Sequence, residues 1–508
     1  MQNNEPRSGV DGSATKLAGD ALNRAVRRGT GIATTAHIAA QLLGLAVLAA
    51  LYRLIEPEQF GLLAMILPLL ALVQIFMMPG LNIVTVQRET ISDAQVSWLF
   101  WVNLALCAAL AVLVAALGPL LAWFYQRSEL TSLTAAVAGT IVVTGLGAQH
   151  QALLERHLRL KPLATARLAA QLVGGLAAVL AAVAGWGVWA LILQLYVAAV
   201  VLGGMLWQFE PWRPSRPKRQ QDVAQLVRFG GFFTASSLMF YLAQNVDKVL
   251  IGWAAGAAVL GLYSQAFNLM MKPVYLLMTP LAGVMLPGLS RAAADREAFG
   301  RLLLAFTRII ALAMMPAGVG LFIVAPELIL ALGGPSWMAA GPLLRALSVA
   351  ILAQGFVNMA GSVYTASGLT GRLLVAASAL AACITAGLGM GWFVGQHYER
   401  PAMGVACGYS LTILVIAGPY LAYCLQAAGV GFGDWLRQLR RPVLAAIGMG
   451  IVLLAARATA EQTVRLPAVA WLITQLVLGA ASYGLLARGQ IRWVVGQFRL
   501  LHKGEKPV

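Results

Sequence analysis

The chain has 508 residues, 60% of them hydrophobic and only 11% charged. A soluble protein of that length needs far more charge to cover its surface, so a polytopic membrane protein is the first reading. A net charge of +17 is weak grounds for a nucleic-acid partner, because basic loops also orient membrane helices.

Cys107, Cys383, Cys407 and Cys424 all fall inside apolar runs. They read as small core residues, not as a disulfide framework or a metal site. The first 28 residues are polar, and the apolar run after Gly29 is too long for the core of a cleavable signal. Leu17, Ala21, Leu22, Ala25 and Val26 share one helical face of this tail, with Lys16, Arg24, Arg27 and Arg28 around it. That pattern suits either a short helix on the cytoplasmic surface or a disordered tail with a basic end.

A membrane-spanning helix needs about 20 apolar residues, because the hydrocarbon layer is about 30 Å thick. Fourteen runs meet that need: 30–54, 61–86, 97–124, 131–154, 163–184, 187–208, 229–254, 259–289, 302–325, 341–366, 373–395, 402–426, 442–458 and 466–487. The longest connection, 210–228, holds "PWRPSRPKRQQ", proline-rich, basic and unable to fold alone.

With the N-terminus inside, the cytoplasmic segments carry 28 of the 36 Lys and Arg residues and the outer loops carry 6, namely Arg53, Arg127, Arg345, Arg400, Arg457 and Arg465. This asymmetry points to that orientation and supports an even number of spans, with both termini cytoplasmic.

The chain repeats itself after about 200 residues. "VRRGTG" (26–31) precedes the first span and "VRFGGF" (227–232) the seventh. "FGLLAM" (60–65) opens the second span and "LGLYSQ" (260–265) the eighth, with Pro79 and Pro280, then Arg88 and Arg291, following at matching places. Six spans separate the copies, so both share one orientation, which is a known transporter plan. The expected fold is an all-α polytopic membrane protein of about fourteen transmembrane helices, two pseudo-symmetric six-helix lobes and two C-terminal helices. The expected units are a cytoplasmic tail (1–28), an N-lobe (29–208), a basic cytoplasmic linker (209–228), a C-lobe (229–426), two extra spans (427–487) and a basic cytoplasmic tail (488–508).

A charge near the bilayer centre costs about 2.5–3.5 kcal/mol, so depth decides which charges need explaining. Asp247 lies 18 residues after Phe229, about 27 Å along the seventh helix. Asp247 and Lys248 therefore either reach the outer interface or face a lumen. Lys272 lies 11 residues past Gly261, about 16 Å from the outer side and near mid-membrane. Such a side chain needs a wet cavity or a partner, and Asp247 is about 10 Å away in depth on the same arithmetic. Pro273 favours a kink beside the charge, and Pro280 and Pro287 make the eighth span more breakable.

Other polar residues sit within spans: His37 and Gln41 one turn apart in the first, Gln74 and Asn82 in the second, Asn103 in the third, Gln149, His150 and Gln151 in the fourth, Gln354 and Asn358 in the tenth. Each reads first as an interhelical hydrogen bond. Arg308 lies one or two turns into the ninth span and can snorkel. No metal-ligand cluster, phosphate-cradling glycine loop or Ser/His/Asp set is brought together by the sequence, and no outer loop is large enough for a catalytic lid.

At "YRLIEPEQFGLLAM" (52–65), "NVDKVLIGWAAGAAVLGLYSQAFNLMMKPV" (245–274) and "LPGLSRAAADRE" (286–297) the chain resembles the polysaccharide-export flippases, the Wzx-like branch of the MOP exporter superfamily, in the subgroup of colanic acid and xanthan exporters. The matches are Arg53, Leu54, Pro57, Phe60 and Gly61 to one run, Asn245, Asp247, Ile251 and Gly252 to a second, and Leu260 to Ala266 to a third. The likeness spans about residues 25–430.

The resemblance implies a flippase, not an enzyme, that moves an undecaprenyl-diphosphate-linked oligosaccharide across the bacterial inner membrane for exopolysaccharide or O-antigen-type biosynthesis. It implies membrane lipids as surroundings and a polysaccharide polymerase and export machinery downstream. Cations are needed for the diphosphate, Lys272 and Arg53 first, with Asn245, Lys248 and Gln41 as further lumen candidates. No cofactor is implied. A proton or sodium gradient is the candidate energy source and Asp247 the candidate coupling carboxylate. A multidrug exporter or lipid II flippase of the same superfamily and, from another class, a membrane-embedded polymerase or ligase are the rival readings. An intramembrane lysine argues against the drug exporter, and short outer loops argue against the polymerase.

Overall fold

The computed structural model describes residues 38–77, 91–216, 223–463 and 467–503, together with Thr35 and Thr85. The tail 1–28, His37, Pro79, Asn82, Arg88, Arg465 and the middle of the linker lie outside them, and the side chains of Gln74 and of residues 223–244 are likewise not described.

All regular structure among the described residues is helical. The helices are α1 (Ile38–Leu54), α2 (Pro57–Met77), α3 (Asp93–Ala116), α4 (Gly118–Tyr125), α5 (Glu129–Arg156), α6 (Leu160–Val183) and α7 (Val188–Phe209). They continue with α8 (Val223–Ala292), α9 (Arg296–Gly333), α10 (Ala340–Ala366), α11 (Thr370–His397), α12 (Pro401–Ala428), α13 (Phe432–Thr463), α14 (Ala468–Leu486) and α15 (Arg488–Lys503). The described part of each of the fourteen apolar runs falls on one of these helices, with α3 and α4 together carrying the third run and α8 carrying the seventh and eighth.

Local chemistry sets the breaks. Ser92 and Gln95 close a capping box at the start of α3. Asp295 accepts from the backbone N–H groups of Glu297 and Ala298, both at 3.0 Å, and so starts α9. Gly256 divides α8 into two arms, with φ 81° and ψ 178°, backbone angles essentially reserved for glycine. Gly256 falls in the turn expected between the seventh and eighth spans, and helical angles continue through Pro273, Pro280 and Pro287.

In the first six spans α3 to α7 pack mainly on one another, and the helices of the next six do the same. The main contact between the two sets is α2 against the second arm of α8. There the backbones touch. A Cβ on Gly61 would lie 1.7 Å from the carbonyl oxygen of Ala257, and one on Gly261 would lie 1.8 Å from that of Pro57. Gly61 and Gly261 are the glycines of "FGLLAM" and "LGLYSQ", so the repeats meet each other at equivalent positions. Glycine is required here by close approach, as in other small-residue helix crossings within membranes.

The extra helices α13 and α14 pack on α9. Arg457 pairs with Glu327 of α9 at 3.2 Å, and Tyr483 donates to the carbonyl of Leu312 at 3.0 Å. The expected basic tail instead begins as helix α15. Its Gln490 accepts a hydrogen bond from Arg308, whose guanidinium also lies 4.0 Å from the ring centroid of Trp493. Arg308 is thereby held by partners as well as by its reach.

The start of the linker is pinned to the N-lobe. Trp101 donates to the carbonyl of Ser215 at 2.8 Å, and the Ser215 N–H donates to Ser97 Oγ at 3.1 Å. His150 stacks on Trp207 at 4.4 Å and reaches the carbonyl of Trp212.

Candidate functional site

Two polar regions lie on opposite faces of the second arm of α8. One face meets the N-lobe. Lys272 Nζ donates to Gln41 Oε1 of α1 across 3.3 Å. Two turns away on the same face, Gln265 Oε1 accepts from the Tyr52 hydroxyl at 3.0 Å. The mid-span cation therefore points across the lobe interface and not into lipid.

The other face borders a cavity of about 500 Å³ built wholly from C-lobe residues. Asn268, Met271 and Tyr275 of α8 line it, spaced as one helical face, with Asn245, Asp247 and Lys248 from its first arm. Gln354 and Asn358 of α10 and Tyr409 and Tyr420 of α12 complete the polar wall. The facing wall is aliphatic and comes from α11, where the lining runs from Leu373 to Leu388, about 22 Å along the helix.

The polar wall is partly ordered by its own hydrogen bonds. Tyr409 donates to Gln354 Oε1 at 3.2 Å, and Gln354 Nε2 donates to Asn358 Oδ1 at 3.3 Å. Lys248 Nζ donates to Asn245 Oδ1 at 2.8 Å and lies 5.4 Å from the ring centroid of Phe267. By its depth in the helix Asp247 suits either the interface or a lumen. It is 3% exposed, and Tyr263, itself fully buried, donates to its Oδ2 at 3.0 Å. Its Oδ1 has no hydrogen-bond partner among the described residues.

Arg53 stands apart from both regions. Its Nη2 and Nε donate to the carbonyls of Ala331 and Leu332 at 2.7 and 3.4 Å, so it caps the last turn of α9. Beside it, at the Gly256 end of the bundle, Trp337 is fully buried between Tyr52 and Phe60.

The structure thus brings Lys272 to Gln41, and Asn245, Asp247 and Lys248 to one cavity, but Arg53 joins neither group. Gln354 and Asn358, read from sequence as interhelical bonds, make such bonds and line the cavity as well. Asn103 and Gln149 serve as bonds alone, to the Gly145 carbonyl and from Thr85. Asn268, Tyr275, Tyr409 and Tyr420 were missed. A signal existed for Asn268, a lone amide one turn before Lys272; tyrosines in an apolar span carry none.

Among the described residues no group of three or more His, Cys, Asp or Glu side chains could hold a metal ion.

Comparison with known proteins agrees with this architecture. The chain is 25% identical over 391 residues to the teichuronic acid biosynthesis protein TuaB of Bacillus subtilis (strain 168), covering 75% of this chain and 78% of that protein. It is 27% identical over 327 residues to the lipopolysaccharide biosynthesis protein WzxC of Escherichia coli (strain K12), covering 64% of this chain and 66% of that protein. In fold it is similar to the lipid II flippase MurJ in an inward closed conformation, with a TM-score of 0.71, 14% identity, and coverage of 91% of this chain and 99% of that chain. The family model described as "Polysaccharide biosynthesis protein" matches residues 50–342. The chain belongs to that family.

Proposed function

We propose that the protein flips a polyprenyl-diphosphate-linked oligosaccharide across a bacterial inner membrane by alternating access, in support of polysaccharide biosynthesis. The observation that carries this reading is Lys272, a mid-span cation held at the lobe interface by an amide of the opposite lobe. A diphosphate is the anion such a cation suits, since charge-assisted bonds to phosphate are among the strongest a side chain makes. The polyprenyl chain stays in the bilayer while the diphosphate and sugars cross.

The Lys and Arg distribution assigns the Gly256 end of the bundle to the outside. The contacts of Tyr52, Arg53 and Trp337 then close the outer side, in a state that loads from the cytoplasm. Arg53 acts in this closure and Lys272 at the diphosphate. Asp247, buried and half-satisfied, takes the coupling proton or sodium ion, and rocking of the lobes follows from the shift in population between the two states. A polymerase and export machinery take the product outside.

The test is loss of the protein, followed by location of the lipid-linked oligosaccharide. Accumulation in the cytoplasmic leaflet is expected. Normal translocation with failed chain growth would overturn the reading in favour of a polymerase. Lys272→Ala is expected to lower translocation by roughly 10- to 150-fold, the loss of one charge-assisted bond of about 1.5–3 kcal/mol, with membrane insertion unchanged.

A further inference from the structure

The helix after the last span has the chemistry of a membrane surface. The 16 residues of α15, "RGQIRWVVGQFRLLHK", include Arg488, Arg492, Arg499 and Lys503 and no Asp or Glu. These cations follow one another at spacings that a helix sets along a single stripe. Ile491, Trp493, Val494, Phe498 and Leu501 fall on the other side of the helix. A basic stripe opposite an apolar one suits a helix lying in the plane of the bilayer surface. Ala487 alone separates α15 from the last span, which keeps it at the level of the lipid headgroups.

Two further cations meet the start of this helix. Gln490 accepts from Arg308 of α9, and Trp493 lies against the same guanidinium. Arg441 of α13 stands close enough to Arg308 for the two like charges to repel. The 38 residues of α9 and the 32 of α13 make about 57 and 48 Å of helix, against a hydrocarbon layer of about 30 Å. With equal overhang at both ends, the backbones of Arg308 and Arg441 each lie about 5 Å inside the hydrocarbon boundary. Arg440, Arg441, Arg488 and Arg492 are exposed. Among the described residues no carboxylate stands within ion-pair distance of these four or of Arg308. Like charges gathered at that depth are costly unless an anion from outside the chain joins them.

We propose that the first turns of α15, with Arg308 and Arg441, form a docking site for anionic phospholipid headgroups of the cytoplasmic leaflet. A phosphodiester is the anion found at that depth, and guanidinium groups pair with it well. Leu444 of α13, exposed and one turn deeper than Arg441, meets the acyl chains. An acidic protein surface suits the stripe but does not reach the depth of Arg308, so the lipid is the better fit. Once seated, α15 holds the neighbouring ends of α9, α13 and α14 as one unit. The site does not depend on what the protein transports.

The test follows amide hydrogen exchange in the purified full-length protein, held in nanodiscs of phosphatidylcholine alone or of phosphatidylcholine mixed with phosphatidylglycerol. Exchange in 488–503 is expected to slow about tenfold in the mixed discs, and high salt is expected to remove the difference. Each cation is worth about fivefold at an anionic surface. The double variant Arg488→Gln with Arg492→Gln, a loss of about 25-fold on that scale, is expected to erase the slowing, and Arg488→Lys with Arg492→Lys to retain it. Arg441→Gln tests the site without altering α15 and is expected to reduce the slowing about fivefold. Unchanged exchange in α10 shows that each variant is folded. Equal exchange in the two kinds of disc would overturn the proposal in favour of a protein partner or none. Survival of the slowing in the double Gln variant or in Arg441→Gln would overturn the assignment of the site. Equal slowing by undecaprenyl diphosphate added to phosphatidylcholine discs would overturn phospholipid as the occupant.

Discussion

Trp337 donates its indole N–H to the backbone carbonyl of Tyr52 across 2.8 Å, while the two rings stack with centroids 4.2 Å apart. The pair joins the end of α1 to the turn after α9, so it ties the N-lobe to the C-lobe by a hydrogen bond and an aromatic contact at once. Aromatic pairs of this kind add about 0.5–1.5 kcal/mol beyond area burial. Trp337→Ala is therefore expected to shift the population toward a state open at the Gly256 end. A cysteine placed at Gln265, buried in that closure, should react several-fold faster with a membrane-impermeant maleimide in the Trp337→Ala background.

The α2–α8 crossing gives a steric test. A side chain on Gly61 or Gly261 meets backbone atoms, not the flexible end of a neighbour. Gly61→Val and Gly261→Val should each prevent closure and abolish translocation without preventing membrane insertion. Impermeant labelling at the Gly256 end should rise in both variants to the same extent.

Asp247 is expected to matter for energy coupling and not for substrate affinity. Asp247→Asn keeps the Tyr263 hydrogen bond possible but removes the ionisable group. Transport driven by an imposed proton or sodium gradient should fall to the level seen without a gradient. Tyr263→Phe removes the donor to Asp247 Oδ2 and should alter the dependence on ion concentration while sparing binding of undecaprenyl diphosphate.

The Arg457–Glu327 pair bears on how the extra spans are held. Glu327 is largely buried and its Oε2 lacks a hydrogen bond among the described residues. Removing the cation alone leaves a poorly solvated carboxylate, a loss of about 3–5 kcal/mol for a fully buried pair and less here, where Arg457 is partly exposed. Arg457→Leu should lower the thermal midpoint in detergent, and the double variant Arg457→Leu with Glu327→Leu should recover most of it.

The spans were legible because bilayer thickness imposes one length on every apolar run, and the α-helical form follows from the need to satisfy backbone groups without water. The repeat was legible through "FGLLAM" and "LGLYSQ", yet the reason for its glycines was not, since contact between residues 200 apart is invisible to local pattern. Lys272 could be singled out from depth alone. The contacts of Arg53 were not legible, because its partners are backbone carbonyls of α9, and a carbonyl leaves no mark in a sequence. Asp247 was ambiguous for a related reason: helix length gives depth, whereas burial depends on Tyr263 and the helices packed around it. The turn at Gly256 was legible as the gap between two apolar runs, and Pro273 lies within helical backbone angles.

The reciprocal approach of Gly61 to Ala257 and of Gly261 to Pro57 also speaks to origin. Exchanging the two copies leaves the contact essentially unchanged, as in an isologous interface between identical subunits. A homodimer of a six-helix ancestor would have made this contact about its two-fold axis, with each glycine facing the other subunit's copy.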